Sequence, residues 1–169
     1  QNNYEKTIAH TGDGVPVSGV IAERPTFSRE NCRYYLVIKA DRVGGVKVKT
    51  KMRVSFSETY DGIDPSDLQI GDRVSFIGTV NKAGNASASS RRSYKSRGIY
   101  LGAHSVRNLT SENPLHRPIS YYMDILRQRV TEMLMHDFDN ENASLMVAVL
   151  TGNKDYLEEE MYDDFIEAG

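Results

Sequence analysis

Cysteine is almost missing from this chain. Cys32 is the single one among 169 residues, which rules out an internal disulfide and a cysteine-based zinc site. No apolar run approaches the ~20 residues that a membrane-crossing helix needs, and no repeat with a period of roughly 20 to 50 residues is present. Catalytic signatures are lacking too: there is no P-loop, no Gly-x-Ser-x-Gly, no His-Glu-x-x-His and no dinucleotide glycine pattern. His136-Asp137-Phe138-Asp139 gathers an imidazole and two carboxylates, but at the end of an expected helix and with no second cluster to complete a metal site. His10, His104 and His116 stand alone in the sequence. The expectation is a chain that is not an enzyme and holds neither cofactor nor metal. An initiator Met and a basic-plus-apolar leader are also lacking, and the chain stops at Glu167-Ala168-Gly169, so a fragment of a larger protein is expected.

What is present is a charge split hidden beneath a net charge of -2. Residues 1–113 carry 17 Lys and Arg against 11 Asp and Glu, a net +6, whereas residues 114–169 carry 4 against 12, a net -8. Two units with different surroundings follow, 1–113 and 114–169, joined across Ser111 to Pro118, where Pro114 and Pro118 resist both helix and ladder pairing.

The first unit has the patterning of strands. Residues 15–24 are short and partly alternating, with Pro16 near the start and Gly19 inside, as in a strand that bends or bulges. Residues 33–43 and 46–57 are rich in β-branched and aromatic residues and flank Gly44-Gly45, a two-residue hairpin signal. Asp64 is placed to cap a single helical turn that begins at Pro65. Residues 73–82 and 98–107 supply strands four and five. The expected fold is therefore mainly β, a five-stranded Greek-key OB barrel followed by a short α-helical segment. In that segment, apolar residues from Ile119 to Leu134 recur every three to four positions, one face of a helix ending near His136. A second helix is expected over 143–151, capped by Asn142, and a third, strongly acidic one over 156–168.

Three motifs in the first unit carry a family resemblance: Val17-Ser18-Gly19-Val20, then Leu68-Gln69-Ile70-Gly71-Asp72-Arg73-Val74 with Gly78 following, then Arg92-Ser93-Tyr94-Lys95-Ser96-Arg97-Gly98-Ile99. Together they resemble the OB domain of ComEC-type DNA-uptake channels. The tail, Ala148-Val149-Leu150-Thr151-Gly152-Asn153-Lys154 with Met161, Phe165 and Glu167-Ala168-Gly169, is similar to the start of that family's competence domain. The resemblance implies a soluble fragment of an integral membrane protein, at the extracytoplasmic face of the cytoplasmic membrane. Its partners would be incoming DNA, single-stranded rather than double-stranded by preference, and the remainder of the channel, with no small-molecule substrate.

The residues themselves point to polyanion binding. On strand three, Lys47, Lys49, Lys51 and Arg53 alternate with mostly apolar neighbours, so four cations project from one face at a spacing of roughly 6.6 Å. Strand two adds Arg33, Tyr35 and Lys39 on one side, with Tyr34, Leu36 and Ile38 on the other. The loop between strands four and five holds Arg91, Arg92, Lys95 and Arg97 with Tyr94 among them. In OB folds these strand faces and loops hold oligonucleotides, and a cationic groove with an aromatic that stacks on a base suffices for sequence-tolerant single-strand binding. The expected DNA-contacting set is thus Lys39, Lys47, Lys49, Lys51, Arg53, Arg91, Arg92, Tyr94, Lys95 and Arg97. The alternative from another class is a structural or protein-interaction module without nucleic-acid binding, in which these cations are solvated or guard a strand edge.

Overall fold

The computed structural model describes residues 11–29, 31–57, 63–83 and 88–137, with five further positions between 143 and 150. In chain order the elements are β1 (Gly12–Ser28), β2 (Arg33–Val43), β3 (Val46–Ser57), a 3-10 turn (Pro65–Asp67), β4 (Arg73–Lys82), α1 (Ala88–Ser96), β5 (Ile99–Glu112) and α2 (Ile119–Asp137). The protein is mainly β, and its five strands pair in a closed ring in the order β1-β2-β3-β5-β4, with β4 returning to β1.

The hairpin of β2 and β3 follows the sequence closely. Its turn requires positive φ at both central residues, and Gly44 and Gly45 adopt 58° and 81°. The expected bounds of β2, β3 and β4 all match. The 3-10 turn starts as expected from Asp64, whose carboxylate accepts hydrogen bonds from the Ser66 amide and hydroxyl, each at 2.8 Å. Those bonds hold the Asp64 carboxyl below the usual aspartate range.

Strands one and five are longer than expected, and for one reason. β1 pairs with β4 over Gly12–Val20 and with β2 over Val17–Ser28, so it must continue past either partner to join both. β5 pairs in parallel with β3 over Ile99–Ala103 and antiparallel with β4 over Leu101–Glu112. Bulges in both strands break the two-residue alternation, which is why the sequence pattern reveals only the middle of β1 and the first part of β5. The bend expected at Gly19 is present, since the β1–β2 register shifts between Ser18 and Gly19. A side chain at Gly19 would put its Cβ 2.6 Å from the Lys39 carbonyl oxygen, a backbone contact that cannot yield.

The expected loop between strands four and five is corrected to a helix, α1, over Ala88–Ser96. No proline, glycine or β-branched residue interrupts that stretch, so helix is open to it; its apolar content is too low to show a 3.6-residue period.

Inward-facing residues of all five strands form one core: Val17 and Ile21; Leu36, Ile38, Ala40 and Val43; Met52, Val54 and Phe56; Val74, Phe76 and Val80; Leu101, Ala103, Val106 and Leu109. Each large side chain removed from water contributes about 1.5–3 kcal/mol, which dominates the stability of the ring. Phe56 and Phe76 lie in this core, and Tyr34 packs against it partly buried. The chain divides into compact units Gln1–Pro118 and Ile119–Gly169, so the two-proline stretch stays with the first. There Asp72, 2% exposed, receives hydrogen bonds from Arg117 and, at 2.8 Å, from the Gln69 amide. In the second unit α2 spans Ile119–Asp137, matching the expected first helix. The expected second helix falls largely, and the third wholly, outside the described residues. No helix among the described residues is long and apolar enough to cross a membrane.

Candidate nucleic-acid interface

Alternation along β2 and β3 sorts the side chains as the sequence implies. Leu36, Ile38, Met52 and Val54 are buried, while Lys39, Lys47 and Lys49 are exposed on the opposite face. The register places Tyr35 opposite Ser55, Val37 opposite Arg53 and Lys39 opposite Lys51, so these six residues tile one outward patch. Val37 is an outward-facing residue that is nonetheless 6% exposed, flanked in register by Glu23 of β1 and Arg53 of β3.

The cations of this face fall into three groups. Lys39, Lys47 and Lys49 have no ion-pair partner among the described residues, and Lys39 faces Lys51 directly, a like-charge pairing that is unfavourable unless an anion is shared. Lys51 and Arg97 do share one: both reach the carboxylate of Glu23, Lys51 at 3.6 Å and Arg97 through a hydrogen bond. Arg53 belongs to neither group. Its guanidinium stands 3.8 Å above the centre of the Tyr35 ring and 5.3 Å from that of Tyr94, and it donates a hydrogen bond to the Tyr94 hydroxyl. That bond ties α1 to β3 and holds the cation flat against an aromatic face, a favourable arrangement for a planar guanidinium.

Beside Arg53 opens a cleft of about 210 Å³, lined by Tyr35 of β2, Arg53 and Ser55 of β3, Tyr94 of α1, Asn81 and Lys82 of β4, and His104 of β5. Gly102 and Ala103 also line it, on β5, the strand that runs between β3 and β4. Ser55 donates a hydrogen bond of 3.4 Å to the Ala103 carbonyl, bridging β3 and β5 just where their paired register ends.

Of the ten residues expected from sequence, the structure brings Arg53 and Tyr94 together in the cleft, with Lys51 and Arg97 joined nearby at Glu23. Lys39, Lys47 and Lys49 extend the same sheet face, and Arg92 and Lys95 are exposed on α1. Arg91 lies on the helix backbone, its side chain outside the described set. Glu23, Asn81, Lys82 and His104 were not expected. Only the register of β1 with β2, and of β4 with β5, reveals them, and no signal in the linear chain marks that register. His104, isolated in sequence, joins the cleft lining, and among the described residues no group of three or more His, Cys, Asp or Glu that could hold a metal ion forms. His136 and Asp137 are exposed at the end of α2 and pair with each other at 2.8 Å.

Further along β2 a cation is paired instead. Asp41, the bulged residue of β2, accepts hydrogen bonds of 2.6 Å from the Ser18 hydroxyl and from Arg73. Partial burial pushes its carboxyl up, but the bonds from Ser18 and Arg73 and the charges of Arg73 and Arg42 outweigh it, leaving the group below its ordinary value of 3.8.

No protein-family model matches this chain, and neither a curated protein nor a solved structure matches it.

Proposed function

We propose that the five-stranded ring is a Greek-key OB barrel, that it binds DNA without sequence preference, and that the chain is part of a ComEC-like DNA-uptake channel outside the cytoplasmic membrane. The barrel reading draws on the strand order, the parallel pair β3–β5 and the short helical turn between β3 and β4. One observation carries the binding reading: Lys39, Lys47 and Lys49 stand on one sheet face without carboxylate partners among the described residues, continuous with a patch where Arg53 is sandwiched near two tyrosines. Cations arrayed this way on a sheet attract phosphates by releasing condensed counterions, and the tyrosines add stacking that any base satisfies. The membrane setting and the DNA-uptake role rest on the resemblance of the motifs.

Fluorescence anisotropy of a labelled oligonucleotide across a salt series tests the binding. Affinity should fall steeply with salt, and the Lys47→Glu, Lys49→Glu double variant should flatten the log–log slope by about 0.7 for each single-strand phosphate that is no longer neutralised. Binding and slope untouched by that change would remove the stripe from the site. The runner-up, a structural or protein-docking module, draws on Glu23, which already neutralises two of the expected cations. Under that reading no competable, salt-dependent binding is measured.

A further inference from the structure

The cleft beside Arg53 has features that a merely cationic surface does not need. Its floor is Gly102, where an added Cβ would meet only the Arg53 carbonyl oxygen, at 3.8 Å, so the space above the backbone is open. One wall is aromatic and cationic, with Tyr35, Arg53 and Tyr94 locked together by the stacked guanidinium and its hydrogen bond to the Tyr94 hydroxyl. The other wall carries Asn81 and His104, whose side chains each combine donor and acceptor capacity, and Lys82, a second cation. An apolar ligand would leave these polar groups unpaired. A bare inorganic anion would leave Asn81 and the aromatic edges of the wall unmatched.

The ligand that meets every wall is planar, has a hydrogen-bonding edge and carries an attached negative charge. We propose that the cleft is a single-nucleotide subsite: one unpaired base of a DNA strand lying along β3 enters it, edge toward Asn81 and His104, with its phosphate between Arg53 and Lys82. This deepens the DNA-binding reading and rests on it. A base held in a duplex cannot enter without leaving its stack and its partner, at a cost of a few kcal/mol. The subsite therefore makes the face discriminate single from double strands, which the lysine stripe alone, attracted to phosphate in either form, does not.

The test compares a labelled single-stranded oligonucleotide with the same sequence as a duplex, by anisotropy at fixed salt, using the full chain. Wild type should favour the single strand by about tenfold, the discrimination that one stacked base supplies. Gly102→Val fills the cleft from its floor with a residue suited to strands. It should remove most of that preference while leaving duplex affinity and the salt slope unchanged. Should Gly102→Val unfold the protein, as its far-ultraviolet dichroism would reveal, Asn81→Ala is the second variant. It lies exposed at the rim and should cost several-fold on the single strand alone. Salt-dependent binding that is equal for both forms, or indifferent to both variants, overturns the subsite and leaves the lysine face standing. Absence of salt-dependent binding to either form overturns both.

Discussion

Two walls of the same ring use positive charge in opposite ways. At the start of β4, arginines end in carboxylates: Arg73 of β4 on Asp41 of β2, and Arg117 on the buried Asp72. On the β2–β3 wall, Lys39, Lys47 and Lys49 have no such partner among the described residues, and Lys39 faces Lys51. The composition treats these cations alike. What separates a cation tied into the fold from an unpaired one is whether an acid shares its address.

Breaking the first wall should have the largest effect. Arg117→Ala removes the ion-pair partner of the buried Asp72, and should cost about 3–5 kcal/mol of stability in urea unfolding; a loss below about 1 kcal/mol would show the pair to be solvated. Lys47→Glu with Lys49→Glu should leave stability within about 0.5 kcal/mol while weakening DNA binding, the reverse pattern. Glu23 tests the border between the walls. Glu23→Gln frees Lys51 and Arg97 and should tighten DNA binding by about threefold, within the range an exposed ion pair supplies. Unchanged or weaker binding would mean that Glu23 positions α1 rather than competing with phosphate.

The smallest effect belongs to Asp41. Because its folded-state value lies below 3.8, its contribution is present above that pH and is lost as pH falls through the lowered value. Its pair with Arg73 is 42% and 48% exposed, so the increment stays below about 1 kcal/mol. Asp41→Asn should therefore lower the midpoint of thermal unfolding slightly at pH 7 and not at all near pH 2. An equal difference at both values would assign the role to packing.

The middle of the ring was legible in the chain because its signals are local. Gly44-Gly45 and alternating β-branched residues set β2 and β3, and Asp64-Pro65 set the turn that follows. The limits of β1 and β5 were not, since bulges and a change of pairing partner erase the alternation that marks a strand. α1 was hidden for a different reason: a helix of polar residues has no apolar stripe, and Arg53 across the sheet supplies its anchor. Half of the candidate site followed the same division. The lysine stripe and Tyr94 are patterns within one segment, whereas Glu23, Asn81, Lys82 and His104 come to the site from three different strands.

By itself, then, the order of residues determined that this chain makes short strands, where the central hairpin turns, and that a row of cations faces away from the apolar side, all consequences of the two-residue repeat of extended backbone. Tertiary structure alone decided which of those cations are neutralised and that a cleft opens at Gly102. Such pairings depend on register between strands distant in sequence, and a single bulge changes which side chains meet without altering the composition at all.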